Sequence, residues 1–192
     1  MQVQCLIVDD FYNNVDDVRA FALSQEFASR GNYPGQRTSS FMTDSAKGLI
    51  QDIIKPFAGS VTWWGDDSTG AFQYTLASDR SWIHSDHTTN WAGILYLTPD
   101  APLSSGTGLF KLKENGLRNW KNYEHTEEEN ANAIHNKYSQ DYTKWEMVDK
   151  IGNVYNRLVL YRGDLFHVSL DYFGDSKENG RLFQLFFFNT ER

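Results

Sequence analysis

Cysteine is almost absent from this sequence, since Cys5 is the single one among 192 residues. A lone cysteine cannot form an internal disulfide, which is typical of proteins from a reducing compartment. Long apolar runs are also missing, because no stretch approaches the roughly 20 residues that span a bilayer. Residues 1–5 lack the basic start and apolar core of a secretory signal. We therefore expect a cytoplasmic protein with no membrane partner.

Positive charge is scarce as well. The chain carries 18 lysines and arginines against 25 acidic residues, for a formal net charge of −7, and no block of Lys and Arg occurs. Binding to a nucleic-acid backbone depends on such a basic footprint. We therefore expect no nucleic-acid partner, while the oligomeric state stays open.

The sequence also lacks the composition of a linker. It has four prolines, no Gly/Ser-rich stretch and no internal repeat. At this length one domain with a sizeable core is expected, so we predict a single domain over residues 1–192. Residues 1–60 are expected to hold an N-terminal strand and helices, residues 61–112 and 154–190 a strand-rich core, and residues 113–153 a polar insertion.

Local patterns predict the N-terminal elements. Residues 4–8 are expected to form a strand, and Asn13 or Asn14 to cap a helix that runs to about Glu26. A second helix is expected over residues 42–57. Both helices would pack on the outside of the larger sheet.

Against this background, the segment His84-Ser85-Asp86 stands out. Side chains alternate along a strand, so His84 and Asp86 point the same way and can bind one metal ion. His167 would supply a third ligand, and two imidazoles with one carboxylate form the facial triad of non-haem Fe(II) sites. His87 faces the opposite way, so we take it as a rim or solvent-exposed residue.

The segments next to these residues in the sequence are predicted to form strands. Residues 91–99 are apolar and aromatic, and Gly106 to Phe110 form a tight turn that enters another strand. Gly163-Asp164 indicates a turn between two strands shortly before His167. Arg181 begins a strongly β-prone run over residues 181–188. His125 and His135 lie in a polar segment and are assigned no role.

The ordered set of motifs resembles the 2-oxoglutarate- and Fe(II)-dependent dioxygenases, in particular their prolyl-hydroxylase-like branch. The resemblance covers about residues 70 to 190. It is carried by an H-x-D motif, a strand with a Tyr-Leu pair, a glycine-rich turn before Phe, a distal His and a following Arg. These are His84-Ser85-Asp86, Tyr96-Leu97-Thr98, Gly106-Thr107-Gly108-Leu109-Phe110, His167 and Arg181.

The resemblance implies a mainly β fold with flanking helices, a double-stranded β-helix or jelly-roll barrel of the cupin-like type. It implies Fe(II) held by His84, Asp86 and His167, with O2 and 2-oxoglutarate as co-substrates. Arg181, together with Tyr96, would hold the distal carboxylate of 2-oxoglutarate, a task that suits the planar guanidinium fork.

The implied reaction is hydroxylation of an unactivated C–H bond, coupled to decarboxylation of 2-oxoglutarate to succinate. Asp86 favours hydroxylation, because related halogenases have a small residue at that position. Thr98 stands where the branch often has Asn, and the interval from His167 to Arg181 is longer than is common there. The substrate therefore stays open between a peptidyl residue, such as proline, and a small amino-acid-like metabolite.

Two other classes remain open. A cupin-like zinc-dependent hydrolase could use the same three ligands to polarise a water, with Arg181 holding another anion. Such an enzyme would ignore 2-oxoglutarate. A non-catalytic jelly roll could bind sugar or peptide through an aromatic mouth, but the spacing of the four polar residues would then be a coincidence.

Two further segments are candidates for substrate contacts. The turn-rich loop at residues 31–38 carries Arg37, which is either a substrate contact or a solvated loop charge. The insertion at residues 113–153 is either a lid at the barrel mouth or a plain solvated insertion, with short helices expected over 127–134 and 141–150. Its aromatic candidates for substrate contact are Trp120, Tyr123, Tyr138 and Trp145.

Overall fold

The computed structural model describes residues 3–65, 67–86, 88–119 and 137–192. In these residues the protein is mainly β, with two sheets and two α-helices. The helices are α1 (Val15–Ser24) and α2 (Asp44–Ala58). The strands are β1 (Cys5–Val8), β2 (Gln36–Ser40), β3 (Val61–Trp64), β4 (Ala71–Thr75), β5 (Trp91–Tyr96), β6 (Thr107–Leu112), β7 (Trp145–Ile151), β8 (Leu158–Arg162), β9 (His167–Ser169) and β10 (Arg181–Thr190).

The larger sheet has seven strands in the order β1-β8-β5-β10-β4-β2, with β3 also paired to β10. All of its pairings are antiparallel, and the long strand β10 connects its two halves. The smaller sheet has the order β7-β6-β9. A pair of backbone hydrogen bonds between residues 84 and 167 brings the H-x-D segment alongside β9.

The two faces of the larger sheet are both covered, because side chains on its strands alternate between two apolar clusters. On one face Trp91, Leu95 and Phe186 pack in a cluster with Ile50 and Ile54 of α2. As predicted, the helices therefore lie on the outside of this sheet.

The opposite face of the larger sheet packs against the smaller sheet. There Ile94 and Tyr96 of β5 share a cluster with Leu109 of β6 and Ile151 of β7. This inner space between the sheets is where the candidate site lies.

The N-terminal elements match their predictions closely. The strand and both helices form within two residues of the expected bounds. Thr43 caps α2, since its side chain accepts a hydrogen bond from the amide of Ala46. Asn14 occupies the N-cap position of α1, but its side chain makes no capping hydrogen bond.

The helix predicted over residues 141–150 is wrong. A 3₁₀ turn over Tyr142–Lys144 leads into strand β7. Trp145 and Ile151 are buried at the two ends of this strand, and its backbone pairs with β6. Pairing with a sheet edge overrides the local helical tendency of the segment. The helix predicted over residues 127–134 lies outside the described residues.

No described helix is long and apolar enough to cross a membrane.

Packing of α2 on the larger sheet is expected to stabilise the fold. Ile54 is fully buried, whereas Leu49 on the same helix is 42% exposed. We expect Ile54→Ala to lower the free energy of unfolding by about 2–4 kcal/mol, through lost burial and a residual cavity. The matched change Leu49→Ala is expected to cost less than about 1 kcal/mol. Urea unfolding followed by circular dichroism measures both, and equal losses would contradict the placement of α2.

Candidate functional site

A cavity of about 1000 Å³ lies between the two sheets. Its walls come from the inner strands and from the segments before β2 and β5. Among the described residues, the ionisable side chains at its wall include His84, Asp86, His167 and Arg37. The cavity therefore combines a cluster of metal-binding groups with an arginine.

His84, Asp86 and His167 converge at the wall of this cavity. Each offers one ligand atom, and these atoms all lie within 4.8 Å of one another. No other group of three such residues is found in the described part of the chain. The Nε2 atom of His167 lies 3.7 Å from Oδ2 of Asp86. This spacing suits a single ion held between the three side chains.

Both imidazoles are oriented by backbone carbonyls. Nδ1 of His84 lies 2.9 Å from the carbonyl oxygen of Trp82, and Nδ1 of His167 lies 2.8 Å from that of Leu165. A carbonyl only accepts, so in each ring Nδ1 is the donor and Nε2 is the nitrogen left to bind a metal ion. Metal-binding histidines are commonly oriented in this way.

The charge states also suit a metal ion. Burial, followed by the neighbouring His84, lowers the pKa of His167 to about 4, so its imidazole is neutral near pH 7. Oδ2 of Asp86 is buried and makes no hydrogen bond. An orphaned carboxylate oxygen is costly unless a cation or a donor meets it. The residues present therefore fit a divalent metal ion.

Gly163 allows the H-x-D segment to approach β8. The amide of Asp86 donates to the carbonyl of Gly163 at 2.7 Å. A Cβ atom at Gly163 would lie 2.5 Å from the carbonyl oxygen of Thr89 and 3.3 Å from Cβ of Asp86. The predicted turn at residues 163–164 is present, and its glycine leaves room for the Asp86 side chain.

Arg181 is fully buried at the start of β10. Its Nε donates to the carbonyl of Ser105 at 2.8 Å, and Nη2 donates to the carbonyl of Gly106 at 3.3 Å. Nη1 has no hydrogen-bond partner. A buried guanidinium with a spare donor, and without a carboxylate partner among the described residues, is the arrangement expected of a site for an anionic group.

Tyr96 lies beside this guanidinium. The centroid of its ring is 5.3 Å from Cζ of Arg181. Its hydroxyl shares a hydrogen bond of 2.8 Å with Oγ1 of Thr107. Burial raises the pKa of Tyr96, against a smaller opposing effect of Arg181, so the phenol stays protonated. Arg181 and Tyr96 do not line the cavity themselves, but each contacts a residue that does: Tyr96 bonds Thr107, and Cζ of Arg181 lies 4.5 Å from the ring centroid of Phe183.

The structure adds residues that the sequence analysis did not single out. Tyr161 is buried on β8, lines the cavity, and its ring centroid lies 4.7 Å from that of His167. Thr107 joins Tyr96 at the cavity wall. Alternation along β8 and a polar residue within an apolar strand were the available signals for these two positions.

The aromatic residues that were predicted to contact substrate from the insertion do not line the cavity where the structure describes them. Trp145 is 4% exposed, packs on Phe166 with ring centroids 4.9 Å apart, and does not line the cavity. Tyr138 also lies outside the cavity wall, and its hydroxyl donates to Glu114. The predicted substrate contacts at these two residues are therefore not supported. Trp120, Tyr123 and His87 lie outside the described residues.

Solved structures share this fold. HygX from Streptomyces hygroscopicus, with nickel, 2-oxoglutarate and hygromycin B bound, aligns with a TM-score of 0.64 at 9% identity, over 99% of this chain and 84% of that one. Its iron-bound form aligns with a TM-score of 0.55 at 10% identity, over 99% and 83% of the two chains. At such low identity the likeness shows the fold alone.

A prolyl-4-hydroxylase from Pseudomonas putida aligns more weakly. Its TM-score is 0.45 at 12% identity, over 98% of this chain and 94% of that one, which is too weak to decide the branch. No curated protein matches the sequence. A family profile does match, over residues 1–188. The chain therefore belongs to a family of unknown function, DUF6445.

Proposed function

We propose that this protein is an Fe(II)- and 2-oxoglutarate-dependent oxygenase built on a jelly-roll barrel. It would hydroxylate an unactivated C–H bond of a peptidyl residue, such as proline, or of a small amino-acid-like metabolite. The observation that carries the proposal is the convergence of His84, Asp86 and His167, with an orphaned oxygen on Asp86. The fold shared with HygX supports it.

His84, Asp86 and His167 would hold the iron. Two imidazoles and one carboxylate are the donor set of non-haem Fe(II) sites, and they would leave positions on the ion for other ligands. When bound, iron and 2-oxoglutarate would activate O2, so that one oxygen atom enters the substrate C–H bond as a hydroxyl and the other oxidises 2-oxoglutarate to succinate and CO2. The carbonyls of Trp82 and Leu165 keep both imidazoles turned with Nε2 toward the ion.

Arg181 would bind the distal carboxylate of 2-oxoglutarate. The carbonyls of Ser105 and Gly106 fix its guanidinium, and Nη1 is the donor left for the ligand. Tyr96 and Thr107 would add a hydroxyl pair beside that carboxylate. A charge-assisted hydrogen bond in a dry site is stronger than one in water, so this buried position favours tight binding.

Neutral side chains surround the metal-binding cluster. Burial, and then the charge of Asp86, raises the pKa of Tyr161 well above its usual value, so its phenol adds no second anion beside the ion. Ile94 and Leu185 provide apolar wall nearby. These residues would exclude water from the reacting centre, which protects it from side reactions.

The test is anaerobic reconstitution of the purified protein with Fe(II), followed by titration with 2-oxoglutarate. We expect the weak visible absorption band of a bidentate iron chelate, and succinate formation once O2 is admitted. A protein that binds zinc tightly but gives no band would support the zinc hydrolase. Absence of metal binding would leave a non-catalytic binding protein.

A further inference from the structure

Arg37 lies in the same cavity and is held in one orientation. It belongs to strand β2, not to the loop before it. Its Nε donates to Oε1 of Gln73 at 2.9 Å, and Nη1 donates to Oγ of Ser68 at 3.0 Å. The ring of Tyr33 covers its guanidinium, with Cζ 3.8 Å from the ring centroid. These contacts leave Nη2 and part of Nη1 free to donate elsewhere.

The side chain and the turn that position Arg37 are themselves held in place. Gln73 is 3% exposed, and its Nε2 donates to the carbonyl of Pro34 at 2.7 Å. Gly35 has a φ of 72°, and a Cβ atom there would lie 1.9 Å from the carbonyl oxygen of Tyr74. This close approach of two backbones requires glycine. A buried amide and a tight turn therefore position the arginine before any ligand arrives.

In the part of the cavity wall that the structure describes, no carboxylate forms an ion pair with Arg37. Asp86 is the sole carboxylate among the described lining residues, and it is assigned to the metal ion. Formal charges of the divalent ion, Asp86, Arg181 and the 2-oxoglutarate dianion cancel, which leaves Arg37 unmatched. Burial lowers the pKa of Arg37, against smaller opposing effects of Tyr33 and Asp86. A half-buried cation of this kind favours an anionic ligand.

Among the described residues, the wall around Arg37 is otherwise neutral, with small polar side chains and three large aromatic rings. These rings belong to Trp63, Trp82 and Phe187, and Trp63 is 44% exposed. Large rings at a cavity wall favour contact with an apolar body. A ligand that fits this part of the cavity has one anionic end and an apolar remainder.

We propose that Arg37 binds the carboxylate of the primary substrate, and that this substrate is a free organic acid whose apolar body lies against Trp63, Trp82 and Phe187. This inference rests on the proposed oxygenase function and narrows its substrate. A planar guanidinium binds a carboxylate through two parallel hydrogen bonds. A proline within a peptide chain has no free carboxylate, because its carboxyl group forms the next peptide bond, so the small acid is favoured over peptidyl proline.

The experiment measures binding of three probes by calorimetry and saturation-transfer NMR. The probes are 3-phenylpropionate, 3-phenylpropionamide and phenyl phosphate, each titrated with and without zinc and 2-oxoglutarate. We expect the carboxylate to bind about 10- to 100-fold more tightly than the amide. Arg37→Gln should abolish this preference, and Arg37→Lys should keep part of it, because lysine retains the charge without the fork.

Arg80→Gln provides the matched control. Arg80 is exposed, and its hydrogen bonds go to the carbonyls of Ala77 and Asp79. Removal of this charge outside the cavity should leave the preference for the carboxylate intact. Three results would overturn the inference. The preference for the carboxylate could be unchanged in Arg37→Gln, the acid and the amide could bind equally, or the acid could fail to bind at millimolar concentration. Tighter binding of phenyl phosphate would assign a phosphate ester instead and overturn the carboxylate.

The iron chelate band separates this inference from the proposed function. Arg37→Gln should retain the band with Fe(II) and 2-oxoglutarate, because its guanidinium is not assigned to the co-substrate. Loss of the band in this variant would place Arg37 in the co-substrate site and overturn the inference, while the oxygenase stands. Absence of the band in the unaltered protein would contradict the proposed function. The probe titrations would still decide whether Arg37 binds an acid.

Discussion

Replacement of His167 by alanine is expected to abolish turnover of 2-oxoglutarate and to weaken binding of the metal ion by more than about 100-fold. His167 is buried and neutral, and its Nε2 faces the carboxylate of Asp86. Its loss would leave two ligands for an ion that requires three protein donors here. Calorimetry with Zn(II) and succinate formation with Fe(II) measure the two effects.

His135→Ala serves as the control for loss of a histidine, since no role is assigned to that residue. Because His167 is buried, its removal could also unfold the protein, so circular dichroism must show a folded variant. His84→Ala offers a second route, since His84 is only partly buried and its loss should have the same effect on metal binding. Full turnover of 2-oxoglutarate in either folded variant would contradict the metal site.

Arg181→Met is expected to weaken binding of 2-oxoglutarate by about 100-fold or more, which corresponds to about 3 kcal/mol for the loss of one partner of a buried charge pair. Nη1 of Arg181 is the buried donor that a carboxylate would meet. Addition of 2-oxoglutarate should raise the melting temperature of the zinc-loaded protein and leave that of Arg181→Met almost unchanged. Thermal unfolding at several 2-oxoglutarate concentrations measures this difference.

Arg181→Lys tests the geometry of the same contact. Lysine keeps the charge but donates from a single point, and it cannot reproduce the hydrogen bonds to both Ser105 and Gly106. We expect an affinity between those of the unaltered protein and Arg181→Met. An unchanged affinity in Arg181→Met would assign the distal carboxylate to another group and contradict the proposed role of Arg181.

Much of the fold could be predicted because its signals are local. Apolar periodicity marked both helices, and β-branched and aromatic runs marked the strands around the candidate site. Strand β7 could not be predicted in this way. Its buried residues lie only at its two ends, so the alternation that marks a strand is weak, and pairing with β6 makes it a strand.

The candidate site was likewise predictable only in part. Alternation along one short segment determined that His84 and Asp86 point the same way, and a turn followed by a β-prone run marked the regions of His167 and Arg181. The distances that make them a site depend on pairings far apart in sequence, such as the bridge between residues 84 and 167. Local spacing carries no information about such pairings.

By itself, the sequence determined the low positive charge, the lone cysteine, the order of the candidate motifs along the chain and the types of residue available to bind a metal ion. The tertiary structure decided that Arg37 faces the cavity rather than solvent, and that Tyr161 and Thr107 join its wall. It also decided that Trp145 is buried in the core. The physical reason is that burial and charge balance arise from contacts between distant segments, whereas alternation and composition are properties of neighbouring residues.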